Sequence, residues 1–335
     1  MGKELQFGLM LPHFGEYASV QECIAGARQA DGLGFNSVWV RDHIVFEPHT
    51  VEGSDKAYFE GLMVLAGIAS VTESLTFGTA MLIGHRHPIH LAQLFATLSH
   101  LARGRVILGL GLGGFAREFA AVGRPTELRD RAVVARTNAE ICRKLWAGEK
   151  VSYEDENFSF EDVELRPKPL QPIPIWGGGG TPASCRRAAE YCDGWLPARI
   201  TLETFEKRMD YLRMLTREAG KPMVTTAVMP YTSVARSRQE ALAEIDVPAL
   251  ILSANGIRLL QKPASGRFET LEDIRGVLLA GSPADIVRDA LAFAQAGADH
   301  IVFDLRLRYA DWHEQIELLG QEVLPALRAG AVDTS

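Results

Sequence analysis

The stretch that decides the fold is LTFGTAMLIGHRHPIHLAQLFATLSHLARGRVILGLGLGG, residues 75–114. Leu75–Ile83 is a short apolar run rich in strand-forming residues, which is typical of a buried strand, and Arg105–Gly113 has the same character. Between them, apolar residues recur with helical spacing from Ile89 to Ala102. A strand, a helix and a second strand in this order predict a βα unit leading into a parallel sheet.

The same alternation continues on both sides of this unit. Upstream, the pattern predicts strands at Leu5–Leu11 and Ser37–Val40, with a helix at Val20–Leu33 between them. Downstream, it predicts strands at Ile175, Gly194–Leu196, Met223–Pro230 and His300–Leu305, and helices at Leu202–Glu218, Pro283–Ala296 and Asp311–Leu327. The number of strands approaches eight, and an open doubly wound sheet would need fewer. The sequence therefore predicts an α/β fold of the (β/α)8 TIM-barrel type.

Two segments interrupt the alternation, and we interpret both as insertions into one domain that covers residues 1–335. The first lies near 151–172, where Val151–Phe160 alternates like a small hairpin and a proline-rich run follows. The second lies near 247–280, where the apolar residues follow neither the helical nor the strand period. A chain of this length fits a single barrel with insertions.

The composition excludes several classes of function. Asp and Glu number 42 against 35 Lys and Arg, a formal net charge of −7, so we expect no nucleic-acid partner. No apolar run reaches the ~18 residues of a membrane span, and residues 1–6 lead straight into a strand without a secretion signal, so we expect a cytoplasmic protein that does not enter membranes. The four cysteines form no CxxC pair, which indicates reduced thiols rather than disulfides or zinc ligands.

Polar residues that directly follow the predicted strands are the first candidates for a site, because these loops converge at one end of a barrel. Asp42 and His43 leave the second strand in VWVRDHI. A histidine can exchange a proton with a substrate near neutral pH, and an adjacent carboxylate can orient it or bind a cofactor. The alternative is an aspartate that caps the next segment beside a surface histidine.

Histidines also follow the third strand, in GHRHPIH. His85, His87 and His90 raise the possibility of a metal ion, but three imidazoles without a carboxylate, beside a helix that starts with proline, fit packing at a helix entry as well. We expect no metal site. Gly78 inside this strand indicates a bulge or the close approach of another group to the backbone.

Two glycine-rich loops favour contact with a flat ligand or a phosphate. Gly109, Gly111 and Gly114 match the spacing G-x-G-x-x-G, but Glu127, which has the distance of the required acidic residue, lies in no predicted strand. We therefore interpret these glycines as room for a ligand and not as a site for NAD. Residues 177–181, GGGGT, precede a predicted helix, and amide groups at a helix start favour a phosphate. The alternative for this loop is a flexible turn, and we expect Arg186 and Arg187 on the helix to be solvated.

Taken in order, these segments resemble the luciferase-like family of flavin- and F420-dependent oxidoreductases over nearly the whole chain. The resemblance is carried by GLMLPHFG, ADGLGFNSVWVRDHI, residues 75–123, LRPKPLQPIPIWGGGGTPASCRRAAEYCDGWLP, GSPADIV and GADHIVFDL. It implies an interrupted TIM barrel whose third strand carries a bulge with a non-prolyl cis peptide, here aligned with Ala80–Met81. The ring of the cofactor rests against this bulge in the family.

The resemblance also implies the roles of individual residues. It assigns proton transfer to His43 as the catalytic residue. It assigns contacts with the cofactor to Asp42, Ala80, Met81, Gly111, Gly177, Gly178, Gly179, Gly180 and Thr181. Arg86 is a further candidate for an anionic group of F420, or else a solvated charge.

We therefore predict an F420-dependent oxidoreductase that transfers a hydride between the deazaflavin and a small organic substrate. The first alternative is an FMN-dependent monooxygenase that uses reduced flavin and O2, and the second is a barrel that binds a ligand without turnover. A small-molecule substrate is the expected partner, and a homodimer is compatible with the sequence.

Overall fold

The computed structural model describes residues 4–49, 51–124, 126–197 and 199–332. Its strands are β1 (Gln6–Met10), β2 (Ser37–Val40), β3 (Thr76–Thr79), β4 (Leu82–Ile83), β5 (Val106–Gly111), β6 (Val151–Glu154), β7 (Ser159–Val163), β8 (Ile175–Gly178), β9 (Gly194–Leu196), β10 (Thr225–Val228), β11 (Tyr231–Val234), β12 (Leu278–Gly281) and β13 (His300–Phe303). Its α-helices are α1 (Val20–Gly32), α2 (Gly61–Ala69), α3 (Pro88–Leu101), α4 (Ala116–Ala121), α5 (Leu128–Ala147), α6 (Pro182–Tyr191), α7 (Leu202–Glu218), α8 (Arg238–Leu242), α9 (Val247–Gly256), α10 (Pro283–Ala296), α11 (Trp312–Leu318) and α12 (Leu324–Val332). A 3₁₀ helix covers Arg306–Asp311, and a π-helical turn covers Leu319–Val323.

The central sheet is a closed barrel of parallel strands. Its order is β3-β2-β1-β13-β10-β9-β8-β5-β4, and the pairing of β3 with β5 closes the ring. β4 continues β3, so the ring has eight strand positions, and helices surround it. The predicted (β/α)8 TIM barrel is confirmed.

The interruption between β3 and β4 occurs at Ala80 and Met81. Before the interruption Phe77 is paired with Val106 of β5, and after it Leu82 is paired with Leu110. Between these two pairs, the strand formed by β3 and β4 therefore contains one residue more than β5. The extra residue is a bulge, and the peptide bond Ala80–Met81 is cis. This is the position that the resemblance implies.

Large side chains fill the barrel and leave its carboxyl end open. Trp39 and Trp176 lie inside with their ring centroids 5.3 Å apart. The sequence predicts a bulge or the close approach of another group at Gly78. The indole of Trp39 is such a group, because a Cβ atom on Gly78 would lie 2.3 Å from its ring. The indole N–H donates to the hydroxyl of Ser37 at 2.7 Å, and that hydroxyl lies 2.8 Å from Nε2 of His300. Burial lowers the pKa of His300 to about 3, so the interior of the barrel is packed and uncharged here.

The remaining elements follow from local sequence. β6 and β7 form an antiparallel hairpin between α5 and β8, and β11 pairs with β12 outside the barrel. Side chains that accept backbone N–H groups begin several helices, as Ser19, Thr181 and Ser282 do for α1, α6 and α10. Within the described ranges, no helix combines the length and apolar character that crossing a membrane requires.

Candidate active site

A cavity of about 870 Å³ lies at the carboxyl ends of the barrel strands. Segments that follow β2, β3, β5, β8, β9, β10 and β13 supply most of its lining, and α5 and α6 add further residues. Cavities of this size accept small molecules and cofactors. In TIM barrels this end of the strands carries the active site, so the cavity is the candidate active site of the chain.

His43 follows β2 and lines the cavity. Its Nδ1 atom lies 3.0 Å from the carboxylate of Glu118, which is buried on α4. The same carboxylate accepts the backbone N–H of Ile44 at 2.9 Å and that of Val45 at 3.3 Å. Glu118 therefore fixes both the imidazole and the loop that carries it.

The contact with Glu118 decides which nitrogen of His43 is available. A carboxylate only accepts hydrogen bonds, so Nδ1 carries a hydrogen and donates it to Glu118. In the neutral ring the lone pair is then on Nε2. The Nη2 group of Arg41, which can only donate, lies 3.4 Å from Nε2 and agrees with this assignment. Nε2 can therefore exchange a proton with a molecule in the cavity.

Asp42 also lines the cavity, but its carboxylate is occupied by protein groups. Arg86 donates two hydrogen bonds to it, at 2.5 Å and 2.9 Å, and the backbone N–H of Ile83 donates a third at 2.8 Å. Asp42 thus ties the end of β2 to β4, and its predicted contact with a cofactor stays a prediction. Arg86 is absent from the cavity lining and also pairs with Glu60, so an anion-binding role for Arg86 has no support.

Ala80 and Met81 form part of the apolar floor of the cavity, with Ile83 beside them. The side chain of Met81 lies against two glycines. A Cβ atom on Gly111 would lie 2.8 Å from Cβ of Met81, and one on Gly178 would lie 2.6 Å from its Cγ. Both glycines therefore make room for Met81 while their backbone borders the cavity.

The loop between β8 and α6 contributes Gly178, Gly179, Gly180 and Thr181 to the lining. Gly179 has a φ of +101°, a conformation that favours glycine. The hydroxyl of Thr181 accepts the N–H of Ser184 and begins α6. Gly177 is the exception among the predicted contacts. It is buried in β8, where a Cβ atom would lie 3.0 Å from Sγ of Cys192, and it is absent from the cavity lining, so its predicted contact with the cofactor stays a prediction.

Arginine is the dominant charged residue in the lining. Among the described residues, five arginines and one carboxylate, that of Asp42, line the cavity, although the net charge of the chain is −7. The arginines are Arg41, Arg129, Arg187, Arg199 and Arg306. Arg187, for which solvation was expected, is half-buried and lines the cavity. Arg199 and Arg306 follow β9 and β13 closely, a signal that the rule used for Asp42 and His43 could have found.

The other histidines of the region have structural surroundings. Burial lowers the pKa of His85, whose Nε2 lies 3.9 Å from Asp42. Nδ1 of His87 accepts the N–H of Ile89 at the start of α3. In the part of the chain that the structure describes, no three His, Cys, Asp or Glu side chains are arranged to bind a metal ion. The metal interpretation of His85, His87 and His90 therefore has no support.

Comparisons with known proteins agree with the fold. Residues 5–300 match the model of the family described as luciferase-like monooxygenase. An F420-dependent glucose-6-phosphate dehydrogenase of Kineococcus radiotolerans is 34% identical, over 90% of this chain and 91% of the relative.

Two solved structures show the same fold. The F420-dependent tetrahydromethanopterin reductase of Methanopyrus kandleri is 21% identical with a TM-score of 0.77, covering 97% of this chain and 99% of its own. The oxygenating constituent of 3,6-diketocamphane monooxygenase of Pseudomonas putida, in complex with FMN, is 21% identical with a TM-score of 0.79, covering 96% and 98%.

Proposed function

This chain belongs to the luciferase-like monooxygenase family, and we propose that within it the protein is an F420-dependent oxidoreductase. It transfers a hydride between the deazaflavin and a small organic substrate. The observation that carries the proposal is His43, which lines a cavity with an apolar floor and whose Nδ1 is held by Glu118, so that Nε2 is left for proton exchange. The relative from Kineococcus radiotolerans, named as F420-dependent, supports the choice of cofactor.

The lining of the cavity fits F420. The apolar surface of Ala80 and Met81 suits one face of a flat ring, and the backbone of Gly178–Thr181 at the start of α6 suits a phosphate. Arg129 and Arg187, on α5 and α6, add positive charge for the acidic tail of F420, which carries carboxylates that FMN lacks. When bound, F420 supplies a carbon centre that exchanges a hydride with substrate.

His43 moves the proton that accompanies the hydride. During oxidation of an alcohol, Nε2 accepts the proton of the substrate hydroxyl. During reduction of a carbonyl, the protonated Nε2 returns a proton to the carbonyl oxygen. Glu118 stabilises the imidazolium in both directions and holds the ring through Nδ1, which leaves Nε2 for the proton. Substrates lie between the floor and this imidazole.

The second candidate is an FMN-dependent monooxygenase, which the fold shared with the FMN-bound monooxygenase of Pseudomonas putida favours. Oxygen dependence separates the two functions. With F420 in anaerobic buffer, we expect turnover with members of a panel of alcohols, carbonyl compounds and glucose 6-phosphate. The absorbance of the oxidised deazaflavin measures this turnover. Oxygen uptake that requires reduced FMN, with no anaerobic F420 turnover, would contradict the proposal. Failure to bind either cofactor would favour the ligand-binding barrel.

The proposal includes a cytoplasmic location, supported by three buried cysteines with free thiols, Cys23, Cys142 and Cys185. A homodimer is compatible with the surface, since the adjacent helices α2 and α3 expose Met63, Leu94 and Leu101.

A further inference from the structure

Three guanidinium groups lie together at one side of the cavity. Arg41 and Arg306 both contact Oε1 of Glu52, at 2.7 Å and 2.5 Å. Arg306 also pairs with Asp304 at 2.5 Å, and Arg199 approaches the same carboxylate at 3.7 Å. We call these five residues the arginine cluster. Arg41, Arg199 and Arg306 line the cavity, while Glu52 and Asp304 lie behind them.

The arginine cluster has one positive charge more than its carboxylates balance. Burial opposes the ionisation of Glu52, but Arg306 and Arg41 hold the pKa of this carboxyl well below its ordinary range, so it stays charged. Three guanidinium groups therefore face two carboxylates. Burial, followed by the nearby guanidinium of Arg306, lowers the pKa of Arg41, as crowding of like charges requires.

Arg199 is the member with donors to spare. Its Nε atom is buried and has no hydrogen-bond partner among the described residues. Its distance to Asp304 exceeds that of a hydrogen bond. The guanidinium lies over the ring of Tyr231, 4.0 Å from the centroid, and this cation–π contact helps to hold it in place. The Arg199 side chain is 19% exposed, whereas those of Arg41 and Arg306 are 7% and 2% exposed, so its terminal N–H groups are the most accessible donors of the cluster.

Contacts within the cluster, more than strand order, set its arginines apart from the surfaces assigned to the cofactor. The floor and the glycine loop follow β3, β5 and β8, which are neighbours in the ring. Arg306 follows β13, which lies across the ring from β5, whereas Arg41 and Arg199 follow β2 and β9, the neighbours of β3 and β8. The guanidinium groups of Arg41 and Arg199 nevertheless meet the group around Arg306, through Glu52 and Asp304. His43 leaves β2 two residues after Arg41. A substrate at His43 is therefore within the same part of the cavity as the cluster.

We propose that the arginine cluster is a subsite for an oxyanion of the substrate, with Arg199 as its principal donor. The inference rests on the proposed function, and it deepens it by naming a substrate class. The substrate carries a carboxylate or a phosphate at one end and, at the other, the hydroxyl or carbonyl group that meets His43. Met229, Leu196 and Pro197 also line the cavity and suit an apolar segment between the two ends.

Inorganic phosphate and acetate are the probes that test the subsite. Each is titrated by calorimetry into the chain already saturated with F420, so that the cofactor's own phosphate site is filled. We expect saturable binding of at least one probe, and Arg199→Gln should raise its Kd by at least about 10-fold, the effect of losing a charge-assisted hydrogen bond. Arg199→Lys, which keeps the charge, should retain part of the affinity. Arg236→Gln is the matched control, because Arg236 pairs with Glu322 on the surface. This variant should bind both anions with the affinity of the parent protein.

The outcomes separate the two proposals. Tighter phosphate binding identifies phosphate esters as the substrate class, and tighter acetate binding identifies carboxylic acids. If F420 binds but neither anion binds saturably, or if Arg199→Gln binds both as the parent does while melting at the parent's temperature, the subsite is overturned and the cofactor proposal stands. If F420 does not bind, the proposed function fails. The same titration without F420 then tests the cluster as an anion site.

Discussion

Replacing His43 by alanine is expected to lower kcat with F420 by about 10²–10⁴-fold, the usual scale for the loss of an acid–base group. The reason is geometric. Nδ1 is committed to Glu118, so Nε2 is the proton-transfer atom that the ring offers to the cavity. Single-turnover measurement of the absorbance of F420 isolates the chemical step from product release.

His49 provides the matched control. It also lines the cavity, stacking on Phe115 at 5.2 Å between centroids. Burial, followed by Arg41, lowers the pKa of His49 to about 4, so its imidazole is neutral and a weak base at pH 7. His49→Ala should therefore change kcat far less than His43→Ala does. Glu118→Gln should lie between the two, since the imidazole remains but loses its anionic partner. Equal activity of His43→Ala and the parent would remove the proton-transfer role and leave the fold untouched.

Replacing Ala80 by phenylalanine is expected to weaken F420 binding by about 10²-fold. Ala80 is part of the floor, and a phenyl ring there occupies the space that the deazaflavin ring needs. Overpacking of a close-fitting site typically costs about 1–3 kcal/mol, and each 1.4 kcal/mol is tenfold in Kd. Fluorescence titration of F420 measures the effect.

Ala80→Ser is the matched control for this variant, because a hydroxymethyl group leaves most of the floor open. Its Kd for F420 should remain within a few-fold of the parent value. Thermal unfolding of both variants checks that the barrel is intact. A folded Ala80→Phe variant that binds F420 as tightly as the parent would show that the ring lies elsewhere.

The barrel could be predicted from sequence because its strands are short apolar runs with clear boundaries. Residues 75–114 already contain two of them, and the extended pattern predicts the eight strand positions that the structure shows. Helix α2 was missed, since GLMVLAGIA is apolar on nearly every side and has no visible helical period. Helix α9 was missed for the same reason, as its ten residues are mostly apolar.

The site was only partly predictable, because sequence gives positions after strands but not contacts between them. Asp42 and His43 follow β2 and line the cavity, as the convergence of barrel loops implies. Glu118 reaches His43 from 75 residues away, and no local pattern indicates that pairing. The pairing of Arg86 with Asp42 could not be predicted either, since the two residues are far apart in the sequence. The run of four glycines does not reveal which members border the cavity. Gly178, Gly179 and Gly180 line it, whereas Gly177 lies within β8 and does not.

Equilibrium binding of F420 and FMN to the 335-residue chain, under matched pH, salt and temperature, tests the central claim most directly. Arg129 and Arg187 in the lining favour the more acidic cofactor. We therefore predict that F420 binds at least about 10-fold more tightly than FMN, a difference of about 1.4 kcal/mol. Clearly tighter binding of FMN, accompanied by flavin-dependent oxygen consumption, would contradict the assignment and identify the protein as a monooxygenase.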